Sequence, residues 1–211
     1  MQRLFFVSTG RCGTKRIAEI LKEYLPSEVF SIQHQMDVSR ISNIVGNIMY
    51  YSGQWEWIKT ILYHHILKKY EGQKKLICSD PLISMMLPKE AIEDPDTTII
   101  YLIRDKEEFA ESFFRFSRKR FQSFLAHNFI PFWQIGIWPL ENILNPRIKE
   151  KYKLLWKKKN NWLTQYYQLK PVNMKNIFKE NYLSSIIQKT FHNKINIPGH
   201  SLQLKSNQTY G

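Results

Sequence analysis

Short apolar runs of strand length alternate along the chain with longer stretches whose apolar positions recur every three or four residues. This alternation is typical of βα units that wind a parallel sheet. The predicted strands cover residues 3–8, 28–34, 75–79, 97–103 and 173–178. The predicted helices cover residues 14–25, 39–70 with a break at 52–53, 105–124, 147–169 and 182–192. The run at 97–103 is β-branched and apolar throughout, so we expect it to be a central strand buried on both faces.

The predicted helix at 147–169 carries one apolar stripe, whose members are Ile148, Tyr152, Leu155, Trp156, Trp162, Leu163, Tyr166 and Tyr167. We interpret this stripe as core rather than as a binding surface. The chain has no internal repeat, low-complexity tract or linker rich in Pro, Gly and Ser. The sequence therefore predicts one α/β domain over residues 1–211, a parallel β-sheet flanked by helices.

The composition describes a folded chain with an excess of positive charge. Among 211 residues, 43% are hydrophobic and 23% are charged, which excludes disorder as the main state. The formal net charge of +13 favours an anionic partner without naming it. Part of this charge lies in basic runs, Lys68-Lys69, Lys74-Lys75, Arg118-Lys119-Arg120 and Lys157-Lys158-Lys159, which are typical of solvated helix faces.

The two cysteines, Cys12 and Cys78, are too few for a disulfide scaffold and lack zinc-site spacing. They favour a reducing, cytoplasmic setting. The first apolar run is too short for a signal peptide, and prolines and polar residues interrupt the stretch 124–144, so no membrane span is expected.

The segment Ser8-Thr9-Gly10-Arg11-Cys12-Gly13-Thr14-Lys15 joins the first predicted strand to a helix. Two glycines allow a tight turn, and the helix start beyond them offers free N–H groups to an anion. The loop departs from the Walker A pattern, because Lys15 follows Thr14 instead of preceding it and Ser8 stands where that pattern has glycine. A phosphate-binding turn is therefore predicted, although a turn without ligand is also compatible with this segment alone.

A second anion signal follows the strand at 97–103. Arg104 leaves the carboxyl end of that strand, where open α/β sheets bind ligands, and Ser112 comes eight positions later on the next helix. Arginine and serine can both donate to a phosphate, and the alternative role of Arg104 is an ion pair with Asp105 or Glu108. Together the two signals predict two separate anionic groups on one ligand.

The two segments resemble the cofactor-binding motifs of sulfotransferases that use 3′-phosphoadenosine 5′-phosphosulfate (PAPS). The resemblance implies a P-loop NTPase-like sulfotransferase fold and transfer of a sulfuryl group to a hydroxyl or amine acceptor, with 3′,5′-adenosine bisphosphate (PAP) as product and no metal. It places the 5′-phosphosulfate on Gly10, Arg11, Cys12, Gly13, Thr14 and Lys15, with Cys12 where the family has serine. It places the 3′-phosphate on Arg104 and Ser112. Lys205, in a segment similar to the family's C-terminal loop, is a further cofactor-binding candidate.

The same resemblance implies that Arg11 stabilises the charge on the leaving oxygen and that a general base lies at a strand end. His34 and Asp80 are the two candidates. Imidazole titrates nearer neutral pH than a carboxyl group, which favours His34. Structural roles remain open for both, a hydrogen-bonded strand end for His34 and a turn before Pro81 for Asp80.

The acceptor itself is not predicted beyond a small molecule or glycan, and an acidic one would suit the remaining charge. Residues 36–74 and 124–146 are expected to form its wall. Two alternatives remain: a P-loop nucleotide kinase or phosphotransferase, which the broken Walker pattern disfavours, and a non-enzymatic basic module that binds nucleic acid or an acidic membrane.

Overall fold

The computed structural model describes residues 1–34, 36, 56–72, 75–122, 124–125 and 148–197. Within these residues the elements are, in chain order, β1 (Gln2–Ser8), α1 (Thr14–Tyr24), β2 (Phe30–Gln33), α2 (Glu56–Lys69), β3 (Lys75–Cys78), a 3₁₀ turn (Ile83–Met85), α3 (Lys89–Glu93), β4 (Thr97–Ile103), α4 (Lys106–Ser117), α5 (Ile148–Tyr167), β5 (Val172–Asn173), α6 (Met174–Ile177) and α7 (Tyr182–Phe191). The alternation of strands and helices confirms the predicted fold class, an α/β sheet flanked by helices.

The five strands form one parallel sheet in the order β2-β3-β1-β4-β5. Its centre is β1, with Phe5 paired to Cys78 on one side and to Ile99 on the other. The side chains of Leu4 to Val7 are fully buried. β4 lies next to the centre, and its residues Thr97 to Ile100 are only half-buried. β1 is therefore the strand that helices cover fully on both faces.

Successive residues of β1 point to opposite faces of the sheet, and each face has its own hydrophobic core. Leu4 and Phe6 pack with buried residues of α1 and α7. Phe5 and Val7 pack with α2 and α5. The predicted stripe of α5 is buried at Tyr152, Leu155, Leu163 and Tyr167, which confirms its interpretation as core.

The last predicted strand, 173–178, is largely wrong. The sheet contains only Val172 and Asn173 of this region, and residues 174–177 form the single helical turn α6. The side chain of Asn173 accepts a hydrogen bond from the backbone N–H of Lys175 and so caps a helix start. Apolar side chains three apart, Met174 and Ile177, are then both buried. An apolar run this short does not distinguish a buried strand from a buried helical turn.

Candidate active site

Parallel strands bring the predicted groups to one edge of the sheet. The carboxyl ends of β2, β3, β1 and β4 are followed by His34, Asp80, the loop Ser8–Lys15 and Arg104, respectively. In parallel strands all carboxyl ends lie at the same edge, which is where open α/β sheets bind ligands. The candidates therefore share one edge although 96 positions separate β1 from Arg104 in the printed numbering.

The loop after β1 turns sharply through left-handed backbone conformations. Gly10, Arg11 and Gly13 have φ of 92°, 54° and 72°. Gly13 is the N-cap of α1, and no side chain caps this helix start. The first turn of α1 also contains no acidic residue. A helix start of this kind favours an anion through its backbone N–H groups and its partial positive charge.

Gly13 is required by both its conformation and its surroundings. A Cβ atom at this position would lie 3.0 Å from two ring atoms of Phe178. Gly13→Ala should therefore lower the free energy of unfolding by about 2–3 kcal/mol, through the left-handed strain and the displaced ring. Urea denaturation followed by circular dichroism measures this change.

Gly72 offers a matched control because its φ of +90° is also left-handed but nothing lies within 4 Å of its Cβ position. Gly72→Ala should show only the conformational part, about 1 kcal/mol. Equal losses in the two variants would show that the Phe178 contact contributes nothing.

Cys12 faces inward from the loop. Its side chain is fully buried, and Sγ donates to the carbonyl of Gly10 at 3.2 Å. Burial raises the pKa of the Cys12 thiol to about 11, so the group is neutral near pH 7. We therefore expect Cys12 to contribute its backbone to an anion site and to be a poor nucleophile.

Arg11 joins the loop to the second motif. Its guanidinium Nε donates to Oγ of Ser112 at 3.3 Å. The same guanidinium lies 4.7 Å from the centroid of the Phe116 ring, one helical turn further along α4. The two segments predicted to bind anions are therefore in direct contact, through the Arg11 side chain of the loop and Ser112 of α4.

Arg104 contacts the loop from the other side. Its NH1 atom donates to the carbonyl of Arg11 at 3.0 Å. Its Nε atom lies 3.5 Å from Oε2 of Glu108, but this atom is buried and makes no hydrogen bond. A buried donor of this kind is expected to have an acceptor in the functional state. The pairing with Glu108, an alternative that the sequence left open, is present as an ion pair without satisfying this donor.

An open cleft of about 390 Å³ lies beside Arg104, lined by Ile103, Arg104, Asp105, Lys106, Trp156 and Asn173. The indole N–H of Trp156 donates to the carbonyl of Arg104 at 2.8 Å. Sequence reasoning placed Trp156 in the core stripe and missed this role. The need of a buried indole N–H for a partner was the available signal.

The helix start of α4 is capped by its own chain, unlike that of α1. Oδ1 of Asp105 accepts hydrogen bonds from the backbone N–H groups of Glu107 and Glu108 at 2.9 and 3.0 Å. Two acidic residues also lie in the first turn. An anion that enters this edge of the sheet therefore meets a helix start without a side-chain cap at α1 and side-chain donors at α4.

His34 is half-buried after β2, and its Nδ1 lies 3.3 Å from the carbonyl oxygen of Ser79. A carbonyl can only accept, so Nδ1 carries the proton and Nε2 has the lone pair. Burial lowers the pKa of His34, against smaller opposing effects of the Ser79 carbonyl and Asp80. Lys15 and Glu19 of α1 also act on this histidine electrostatically, which places it near the first turn of that helix.

Asp80 is buried, with both carboxylate oxygens bound to backbone. Oδ2 accepts from the N–H of Met36 at 3.0 Å, and Oδ1 accepts from the N–H of Leu82 at 2.9 Å. Asp80 thus holds the chain segments after β2 and β3 together. These two hydrogen bonds to backbone N–H groups indicate a structural role for Asp80.

The remaining candidates differ in placement. Thr14 is buried, and its carbonyl accepts from Oγ of Ser79 at 3.0 Å, which ties the start of α1 to β3. The Lys15 side chain is 62% exposed, with Nζ 3.8 Å from Oε1 of Glu19. Lys205 and most of the expected acceptor wall lie outside the described residues.

The described residues contain no cluster of His, Cys, Asp and Glu that could hold a metal ion. In the same part of the chain no helix is long and apolar enough to cross a bilayer.

These contacts define a class of protein, a parallel α/β protein with a left-handed glycine loop and a helix start without a side-chain cap at the carboxyl end of its central strand. A family model described as Sulfotransferase domain matches residues 1–179. The chain belongs to this family, which confirms the resemblance seen in the sequence and supports a transferase that acts in sulfuryl transfer. Comparisons with curated proteins and with solved structures found no significant match.

Proposed function

We propose that this protein transfers a sulfuryl group from PAPS to a hydroxyl or amine acceptor, by in-line displacement and without a metal. The observation that carries the proposal is the contact chain from Arg104 through Arg11 to Ser112. It joins an uncapped helix start to two side-chain donors of the second motif. A ligand with two anionic groups, such as PAPS, fits this arrangement.

The side chains and backbone groups at this edge match the chemistry of the donor. The loop from Gly10 to Lys15 would hold the 5′-phosphosulfate through backbone N–H groups, the Arg11 guanidinium and Lys15. Arg104, whose buried Nε lacks a hydrogen bond, and Ser112 would hold the 3′-phosphate. Lys205 remains a proposed contact from the C-terminal segment. PAPS, when bound, supplies an activated sulfuryl group.

The protein's own contribution to such a reaction is positioning and charge stabilisation. Arg11 would stabilise the negative charge that grows on the leaving oxygen. His34 would accept the proton of the acceptor through Nε2, since Nδ1 faces the Ser79 carbonyl. Asp80 is the second candidate base, but its two bonds to backbone N–H groups support the choice of His34.

The acceptor is proposed as a small molecule or glycan, and an acidic one suits the excess of positive charge. No nucleic acid is proposed as a specific partner. Residues 1–211 are proposed to form one domain. A reducing, cytoplasmic setting is proposed as well, and the free, buried state of Cys12 and Cys78 supports it.

Calorimetry with PAP tests the donor site. Arg104→Ala should weaken PAP binding about 10- to 100-fold, because a charge-assisted hydrogen bond is typically worth ~1.5–3 kcal/mol. Ser112→Ala should weaken it about tenfold on the same grounds. Arg115→Ala is the matched control, since Arg115 lies on the same helix with its side chain 71% exposed.

Unchanged PAP affinity in both site variants would overturn the proposal. Tighter binding of ATP with magnesium than of PAP would favour a phosphotransferase instead. Binding to DNA or anionic vesicles that weakens steeply with salt, with no PAP binding at all, would favour the basic module.

A further inference from the structure

Lys159 is a buried lysine on α5, and the proposed mechanism does not yet use it. Only 7% of its surface is exposed, although it closes a basic run that the sequence analysis interpreted as a solvated helix face. The structure gives its ammonium no hydrogen bond or ion pair among the described residues. So buried a lysine side chain without an opposite charge is unfavourable, and its ammonium is not among the fully enclosed nitrogen atoms of the described residues, so an anion can reach it.

Two neighbours on α5 place Lys159 at the carboxyl end of β4. Trp156, one turn earlier, donates to the carbonyl of Arg104 at 2.8 Å. Asn160, the next residue, accepts from the hydroxyl of Tyr101 at 2.7 Å. α5 is thus fixed against the last residues of β4 on both sides of Lys159. Cys12, in the loop after β1, lies within electrostatic range of the Lys159 ammonium.

The two ionisable groups placed beside Lys159 by the structure, Cys12 and Tyr101, supply no negative charge near neutral pH. Burial raises the pKa of Cys12 to about 11 and that of Tyr101 to about 12, so both are neutral there. The other charged groups of the loop and of the β4 end are three cations, Arg11, Lys15 and Arg104, and two carboxylates. Asp105 accepts from the backbone N–H groups at the start of α4, and Glu108 is engaged by Arg104 and by Lys175. Burial lowers the pKa of Lys159 itself to about 8. An anion bound in the loop would be its first opposite charge and would return it to the protonated form.

We propose that Lys159 is a further cofactor-binding residue, which approaches the loop Ser8–Lys15 from α5 and supplies a positive charge to the 5′-phosphate group held there. The inference rests on the proposed function and extends it to a helix outside both sequence motifs. On binding, each molecule whose Lys159 is neutral takes up one proton from the buffer.

Proton uptake on PAP binding tests this directly and needs no acceptor. Calorimetry in buffers of different ionisation enthalpy should show uptake of about 0.8 proton at pH 8.5, where the phosphate groups of PAP are already ionised, from the neutral fraction of a lysine with a pKa of about 8. Lys159→Met should abolish the uptake and weaken PAP binding at pH 7 by about tenfold or more. Lys157→Met, on the exposed face of the same helix, is the control and should change neither quantity.

A second variant covers the case in which Lys159→Met fails to fold. Lys159→Arg stays protonated at pH 8.5, so it should bind PAP without proton uptake. PAP binding by the wild-type protein with no uptake at pH 8.5 would overturn the role of Lys159 and leave the proposed function standing. So would uptake that occurs with adenosine 3′-monophosphate but not with adenosine 5′-monophosphate. Absence of any PAP binding would overturn the proposed function, and this inference with it.

Discussion

Replacing His34 with glutamine should slow sulfuryl transfer by about 100- to 10,000-fold, the usual contribution of a positioned general base. The Ser79 carbonyl fixes the proton on Nδ1, which leaves the lone pair of Nε2 to accept a proton from the acceptor. Glutamine can keep one hydrogen bond of the ring but cannot take up this proton. The measurement is the transfer rate from PAPS to the best acceptor in a panel of phenols, alcohols, amines and saccharides.

The pH dependence gives the same prediction a second readout. Burial lowers the pKa of His34, so its neutral, basic form persists below the ordinary histidine range. The wild-type rate should therefore fall on the acid side only below about pH 6.5, the unperturbed value for histidine. This acid limb should be missing from the residual activity of His34→Gln.

His65→Gln is the matched control, since His65 is an exposed histidine of α2. Its rate and pH profile should match the wild type. If His34→Gln keeps the wild-type rate while Asp80→Asn, at equal folded fraction, loses the acid limb, then Asp80 is the base and the present assignment is wrong.

Arg11→Ala should lower the turnover number about 100- to 1000-fold, as is typical when a donor to a developing negative charge is removed. The effect on PAP affinity should be smaller, because Arg104, Ser112 and the start of α1 remain. Arg11→Lys keeps the positive charge but loses the planar guanidinium group, so its turnover number should lie between those of the wild type and Arg11→Ala. Single-turnover kinetics together with PAP calorimetry separate the chemical step from binding.

Arg118 provides the control for the loss of a guanidinium over a ring. It lies 5.1 Å from the centroid of Phe114, as Arg11 lies over Phe116. Arg118→Ala should leave turnover unchanged. If Arg11→Ala weakens PAP binding as much as it slows turnover, Arg11 binds the ground state and does not act on the leaving oxygen.

The hydrophobic pattern predicted more of the fold than of the contacts at the site. Four of the five strands were found at the expected places, because a buried parallel strand needs a continuous apolar run. The fifth was mistaken for a longer strand, since Met174 and Ile177 are apolar for a different reason: they are the buried face of one helical turn.

The motifs also predicted which residues meet at the sheet edge, but not how they touch. The sequence predicted that Arg11 binds one anionic group of the ligand and that Ser112 binds another. In the structure Arg11 donates to Ser112 across 101 positions of sequence. This contact depends on how α4 packs over the end of β1, which no local pattern encodes.

Lys159 shows the same limit within a single helix. Its position, four residues after Leu155 and four before Leu163, falls on the apolar stripe of α5, and that spacing could have indicated burial. Its place in a run of three lysines suggested solvent instead. The helical spacing indicated the burial of Lys159 correctly, whereas its charge and its charged neighbours suggested exposure.

The alternation of apolar runs was sufficient by itself for a parallel α/β sheet, and the resemblance of the segments around Arg11, Arg104 and Ser112 was sufficient to indicate the sulfotransferase family. These are local properties, since strand burial, helix faces and a glycine turn are each encoded within about a dozen residues. The contact of Arg11 with Ser112, the bonds that Asp80 makes to backbone N–H groups and the burial of Lys159 were decided by tertiary packing alone. Each depends on groups that are distant in sequence and meet only when helices and strands pack together.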